Sequence, residues 1–440
     1  MTSEWENVKL GNVTSKIGSG STPRGGSKVY LKDGEYALFR SQNVLNNSFS
    51  KNGLVYIDSE AAKKLQNVNI ERSDVLLNIT GDSVARVCKA PCEYLPARVN
   101  QHVAIIRTIP SKLDSSYLNY YLNSRSMQNY MLTIASAGAT RNALTKGMIE
   151  DFDISVPPLQ TQKKIAHILS TLDDKIELNR KMNRTLEEMA QALFKSWFVD
   201  FDPVHAKANA SSDADFDRIA KELGISREIL DLFPDEFEES ELGMIPRGWD
   251  IKRLDDLSKV TMGQSPNGDS YNYNCNGLPL LNGAADFKDG ILIPKKFTTD
   301  SKRKANHGEL VFCIRATIGL LTYTDTEYSL GRGVASINAH NLHKELIYLG
   351  LDRKIERLKS TATGSVIIGL KKDDVESINF VVPNDDVMEF FHLMQRSIFD
   401  RIKINTSQTQ ALQKTRDTLI PKLLSGELDV SELELDNVTH

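Results

Sequence analysis

The residues of this chain that could carry catalytic chemistry are few and poorly grouped. Its eight histidines contain no i, i+4 pair able to clasp a metal from one helix face. Cys88 and Cys92 lie four apart with a proline between them and no second pair or His cluster nearby. They read as small buried apolar residues rather than zinc ligands, and four cysteines in 440 residues fit a reducing cytoplasm. Gly18 and Gly20 form a Gly-x-Gly, but the third glycine and the Lys-Ser/Thr pair of a phosphate loop do not follow at the needed spacing. The carboxylate pairs Asp173/Asp174 and Asp373/Asp374 fall at element edges and read as solvated. Residues 198–205 (FVDFDPVH) hold an Asp-Pro pair without the aromatic that would stack on an extruded base, and read as helix exit and linker. The expectation is a protein that binds rather than transforms, with no catalytic residue and no metal site.

The elements that would position binding residues announce themselves by repetition. Shifting the chain by 226 aligns residues 138–198 with 364–424 without a gap, with identities at 11 of 61 positions, among them Leu144, Val156, Pro157, Ile176, Asn179, Leu186 and Leu193. Upstream the match is looser: residues 5–13 (WENVKLGNV) answer 249–257 (WDIKRLDDL), and residues 73–80 (SDVLLNIT) answer 308–315 (GELVFCIR). Charge follows the same division. Residues 1–157 hold 18 Lys and Arg against 14 Asp and Glu, and residues 244–383 hold 19 against 16, whereas residues 199–243 hold 4 against 13. Two mildly basic units are thus joined by an acidic connector, which the whole-chain net charge of −4 conceals. No apolar run approaches the roughly 18 residues of a membrane span, and the amino terminus lacks the pattern of a signal peptide, so a cytoplasmic protein without membrane contact is expected.

Each unit reads as α/β. Short β-branched runs (DVLLNIT, HVAIIRTI, ELVFCI, GVASINA) predict strands, and residues 115–135 and 344–362 have helical spacing. After each unit comes a heptad. Ile165, Leu169, Leu172, Ile176, Asn179, Leu186 and Leu193 form one seam; Ile398, Ile402, Asn405, Leu412 and Leu419 form the other. Apolar seams with an asparagine in the middle predict two antiparallel coiled-coil helices whose register is set by polar groups, with Asn179 and Asn405 near one another. Each helix would be about 60 Å long, a ruler between two binding units.

These pieces resemble the specificity subunit of type I restriction-modification enzymes. The resemblance rests on the Pro-Pro-Leu-x-x-Gln-x-x-Ile segment at residues 157–165, on residues 240–257 (SELGMIPRGWDIKRLDDL) as entry into a second recognition domain, and on residues 415–428 (TRDTLIPKLLSGEL) as its exit. The second copy departs from the motif, with Asn384, Asp385 and Asp386 in place of Pro158, Leu159 and Gln160. The resemblance implies target recognition domains at 1–157 and 244–383, spacer helices at 158–198 and 384–428, the acidic connector at 199–243 and an acidic tail at 429–440. It implies a chain that reads a bipartite, asymmetric site in double-stranded DNA, one half per domain. Two methyltransferase subunits and restriction subunits would be its partners. S-adenosylmethionine, ATP and Mg²⁺ would belong to those partners and not to this chain.

Direct readout needs Arg, Lys, Asn or Gln on loops that enter the major groove. Candidates in the first unit are Arg24, Lys28, Arg40, Gln42, Asn43, Asn78, Arg98, Asn100, Gln101, Arg141 and Asn142, and in the second Asn267, Asn282, Lys302, Arg303, Arg315 and Arg332. The polar loop at residues 138–147 directly precedes the shared strand and helix and is the favoured contact. Two other readings stay open: the specificity subunit of a bifunctional restriction-methyltransferase, and a coiled-coil scaffold that binds no DNA.

Overall fold

A computed structural model describes residues 5–137, 142–288, 290–361 and 369–434. The chain divides into two compact units, one of Met1–Arg180 with Thr406–His440 and the other of Lys181–Asn405, so that each unit takes half of each long helix. The division falls inside the helices.

In the first unit a four-stranded antiparallel sheet runs in the order Thr14–Ser19, Val103–Thr108, Val75–Asn78, Val87–Lys89. A second sheet places Tyr36–Phe39 between Val55–Ile57 (antiparallel) and Ala97–Val99 (parallel). The two central strands of the larger sheet are buried on both faces. Val75, Leu77, Ala104 and Ile106 join a core with the helices Ser115–Asn123 and Arg125–Ser136, while Leu76, Val103 and Ile105 join a core with the smaller sheet. This explains why these strands read as unbroken apolar runs, since side chains alternate between two dry faces.

The second unit repeats the plan. Ser258–Met262, Val334–Ala339, Leu310–Cys313 and Leu321–Tyr323 form a sheet in the same order, and Leu278–Leu281 pairs in parallel with Tyr328–Leu330 inside a five-stranded sheet. Leu310, Phe312, Ala335 and Ile337 face the helical core; Val311, Cys313 and Val334 face the other.

The first long helix, Leu159–Phe198, begins where Pro157 and Pro158 stop the strand Asp153–Val156, itself paired with Glu6–Lys9. Gln162 is buried there. Its Oε1 accepts from the Asp114 N–H (2.8 Å), and its Nε2 donates to the Pro157 (2.8 Å) and Lys112 (3.1 Å) carbonyls, which clamps the helix start onto the unit. At the equivalent point of the second helix, Asp385–Leu424, stands buried Met388, and the start is fixed by Asn384, whose Oδ1 accepts from the Val387 N–H at 3.0 Å.

Every seam residue named above is buried or half-buried. In the first unit Ile165, Leu169, Leu423 and Leu424 share one core, Asn179 Nδ2 donates to Gln408 Oε1 (3.0 Å), and Arg416 reaches Asp173 (2.6 Å), which also accepts from the Tyr120 hydroxyl (2.7 Å). In the second unit Ala190, Phe194, Trp197 and Phe391 share a core, and Asn405 Nδ2 donates to Asn183 Oδ1 (2.9 Å). Within its own unit each mid-seam asparagine therefore has an amide partner other than the asparagine the heptad reading matched with it.

The acidic connector, expected as a linker, is an ordered part of the second unit. Helices Asp202–Ala208, Asp213–Leu223 and Arg227–Asp231 send Val204, Ile219, Ile229 and Leu230 into the core, and Phe233, just past the last of them, joins it and meets Trp197 edge-on at 4.9 Å. Its acidic residues occupy the outer faces, which is why net charge alone disguised it. Phe233→Ala removes a buried ring from this contact and is expected to lower the stability of the chain by about 3–5 kcal/mol. An unchanged urea midpoint would return the connector to the status of a tether.

Candidate nucleic-acid interface

The candidate residues lie on loops tied together by backbone hydrogen bonds. In the first unit the Gly20 N–H donates to the Val103 carbonyl (2.9 Å) and the Ser21 N–H to that of Val99 (3.0 Å). The Asn100 N–H donates to Phe39 (3.1 Å), the Ile79 N–H to His102 (3.0 Å) and the Gly81 N–H to Asn142 (3.2 Å). The loops that follow strands Thr14–Ser19, Tyr36–Phe39 and Val75–Asn78, the turn at residues 100–102 and the segment from Asn142 thus converge at one edge of the paired sheets. Gly20 is required for this: a Cβ there would stand 2.1 Å from the Val99 carbonyl oxygen.

The second unit makes the same ties. Gly263 donates to Val334 (2.9 Å), Gln264 to Leu330 (2.9 Å), Gly331 to Leu281 (2.8 Å) and Ile314 to Gly333 (2.9 Å). A Cβ on Gly263 would stand 2.1 Å from the Gly331 carbonyl oxygen. The bridge between Arg315 and Gly369 matches that between Thr80 and Ala143.

Of the candidates, Arg24, Lys28, Gln42, Gln101 and Asn142 are exposed on the first cluster, and Asn267, Asn282, Arg315 and Arg332 on the second. Lys302 and Arg303 are exposed on a neighbouring segment, Lys302 paired with Asp300 at 2.8 Å and the Arg303 carbonyl accepting from the Leu330 N–H. Arg141 and the rest of residues 138–141, the start of the favoured loop, lie outside the described residues.

Four candidates are turned inward, a correction to their expected exposure. Asn43 is buried, with Nδ2 donating to the carbonyls of Ser50 (2.8 Å) and Asn52 (3.2 Å) and Oδ1 accepting from the Arg40 N–H (3.0 Å). Asn78 donates to the Ser41 carbonyl (2.8 Å), and Asn100 Oδ1 accepts from the His102 N–H (3.1 Å). Arg98 donates to Ala62 (3.2 Å), Asn69 (2.6 Å) and Ala97 (3.0 Å) under the Tyr36 ring, and burial pulls its pKa below the usual arginine value. These side chains brace the loops because loop carbonyls that no strand satisfies need donors. Arg40 is half-buried, with its guanidinium 5.4 Å from the Tyr30 ring centroid and bonded to the Gly53 carbonyl.

Sequence reasoning missed His102, whose ring joins Thr80 Oγ1 (2.6 Å) to the Gln101 amide (3.1 Å), and it missed the shared glycine loop. The signal for the loop was present: Gly-x-Ser/Thr-Pro occurs at residues 20–23 and again at 263–266. Cys88 is buried and its thiol pushed up to about 12 by desolvation, but Cys92 is exposed, against the expectation that both are buried. Among the described residues no group of three or more His, Cys, Asp or Glu could hold a metal ion.

The family model for the type I restriction modification DNA specificity domain matches residues 2–188 and 246–422. The chain is similar to the HindI type I restriction enzyme specificity subunit of Haemophilus influenzae, with 27% identity over 97% of this chain and 100% of that one. It is similar also to the MjaIX specificity subunit of Methanocaldococcus jannaschii, with 26% identity over 98% and 95%. Among solved structures, the type I restriction-modification S subunit from M. genitalium shares the fold, with TM-score 0.58 and 14% identity over 96% of each chain.

Bracing and presenting residues should separate in stability. Asn43→Ala strips the side-chain partner from three backbone groups and is expected to cost about 1–3 kcal/mol, whereas Gln101→Ala at an exposed tip should stay within roughly 0.5 kcal/mol. Equal melting temperatures for the two variants would show that Asn43 holds nothing.

Proposed function

The chain belongs to the family of type I restriction modification DNA specificity domains, which it carries twice, and we propose that each copy reads one half of a split site in double-stranded DNA. The observation that carries this reading is the loop cluster, built twice on one topology by the same backbone ties while its exposed side chains differ. One scaffold with two sets of presented donors and acceptors is what two different half-sequences require, since base edges are told apart by such groups. The moderate basicity of residues 1–157 and 244–383 suits a reader that shares phosphate contacts with other subunits.

The long helices serve on this reading as the spacer and as the seat for methyltransferase subunits. Leu178 in the first unit and Met189, Leu393 and Ile404 in the second are large apolar side chains left exposed on them, and Leu178 and Ile404 are equivalent under the repeat. A buried partner face would account for them. S-adenosylmethionine, ATP and Mg²⁺ are assigned to the partner subunits, and the reaction to the cytoplasm where host DNA lies.

Two measurements test this. Exchanging residues 1–157 for those of another specificity subunit should alter one half of the motif methylated in cells, as read by methylome sequencing; altered bases in both halves would sink the two-reader scheme. Separately, Leu178→Glu and Ile404→Glu should abolish copurification of methyltransferase subunits while the chain keeps its melting temperature. Full assembly of both variants would move the docking face elsewhere.

A further inference from the structure

The turns at residues 100–102 and 331–333 are equivalent by their hydrogen bonds. The Val103 N–H donates to the Asn100 carbonyl (3.2 Å) as the Val334 N–H does to that of Gly331 (3.1 Å), and each turn is held by the ties already described. Each carries one exposed long side chain at its centre, Gln101 in the first unit and Arg332 in the second. Each of these is held by one hydrogen bond, and the way it is held determines the edge it presents.

Gln101 Nε2 lies 3.1 Å from His102 Nε2, and His102 Nδ1 lies 2.6 Å from Thr80 Oγ1. A neutral imidazole has one donor and one acceptor nitrogen, so an amide N–H directed at Nε2 places the ring proton on Nδ1, toward the threonine hydroxyl. The amide keeps its second N–H and its carbonyl oxygen side by side. That edge, one donor beside one acceptor, complements N7 and the N6 amino group of adenine. Arg332 donates its Nε to Ser265 Oγ at 3.1 Å. Its two terminal nitrogens remain as a fork of parallel donors, the complement of O6 and N7 of guanine.

We propose that Gln101 reads an adenine in one half-site and Arg332 a guanine in the other, with His102, Thr80 and Ser265 as the residues that position them. The inference rests on the reading of each unit as a half-site reader and adds the base that each tip recognises. It depends on matched edges, not on charge, because the two tips differ in charge while sharing a backbone frame.

The test is the motif methylated when the full chain is co-expressed with its methyltransferase subunits. Gln101→Arg should convert one adenine to guanine in one half only, and Arg332→Gln should convert one guanine to adenine in the other half only. A motif unchanged by either substitution, or changed at another position, overturns the proposal. Where a variant methylates nothing, binding of the assembled enzyme to duplexes carrying each of the four base pairs at the mapped position decides. Gln101→Ala should then erase a preference for A·T on the order of ten- to a hundredfold, and an equal loss for all four pairs refutes the assignment. His102→Leu and Ser265→Ala should relax the same single positions and leave the rest of the motif intact, which loss of folding would not do. A wild-type assembly with no methylated motif at all would remove the half-site reading itself, not the assignment of the tips.

Discussion

A narrow helix seam cannot sustain 40-residue helices by itself, and the remaining architecture answers that constraint. Mid-seam positions such as Leu172, Leu186, Leu193, Ile398, Ile402 and Leu412 are only half-buried, so each contributes a fraction of the roughly 1.5–3 kcal/mol that full burial of such a side chain brings. Apart from Ile176, the buried apolar positions lie where helix and globular core meet, among them Ile165, Leu169 and Leu423 in the first unit and Trp197 and Phe391 in the second. The helix start is in turn tied to the strand Asp153–Val156 and through it to Glu6–Lys9, so the helix direction and the sheet that bears the loops are one mechanical piece. The second unit repeats this with Asn379–Val382 and Asp250–Arg253.

Polar groups in the seam then select one register. Asn179 and Asn405 are buried and paired, and a slip along the seam would strand their amides without partners, at about 1–3 kcal/mol each. The two units solve this differently. The repeat counterpart of Asn183 is Thr409, too short to supply an amide, and Asn179 is met by Gln408 instead. Asp173 and Arg416 correspond to Phe399 and Ala190, so the ion pair of one unit becomes a ring cluster in the other, where Phe399 lies 5.2 Å from Tyr348 and 6.1 Å from Tyr323. Equivalent positions are filled by different chemistry, which is why identity across the repeat is low although the fold is the same.

What the sequence disclosed follows from which forces are periodic. The heptads, the apolar strands and the proline stop at Pro157 are local patterns, and all three were legible. The connector was not, because its charged outer face outweighs in composition the few residues, Val204, Ile229, Leu230 and Phe233, that bind it to a core. The bracing roles of Asn43, Asn78 and Arg98 were equally hidden. An amide or guanidinium suited to a base edge is just as suited to a loop carbonyl, and only the fold says which it meets. Gly20 and Gly263 were legible in principle, since their requirement is steric and repeats with its Ser/Thr-Pro neighbours, but they stand 243 residues apart and not 226, because the loops of the two units differ in length.

The loop cluster shows how recognition can vary without cost to the scaffold. Its ties run from backbone N–H to backbone carbonyl, so apart from Gly20, Gly263 and Gly333, where a Cβ would stand 2.1 Å from a backbone oxygen, they place no demand on side-chain identity. At one corner the side-chain brace is an acceptor that need not be one residue type: Asn43 Oδ1 receives the Arg40 N–H, and Asp286 Oδ2 receives the Asn282 and Gly283 N–H groups at the corresponding place. The tips stand outside the backbone ties. Gln101 stands where the other unit has Arg332 and Thr80 where it has Arg315, and neither difference touches a backbone tie, whereas His102 stands where the other unit has Gly333, at which a Cβ would lie 2.1 Å from the Asn282 carbonyl oxygen. Surface exchanges of this kind are near neutral for folding. A frame held by its own backbone can therefore carry two unrelated sets of donors and acceptors in one chain, and outside its close-packed glycines stability does not constrain which set each unit presents.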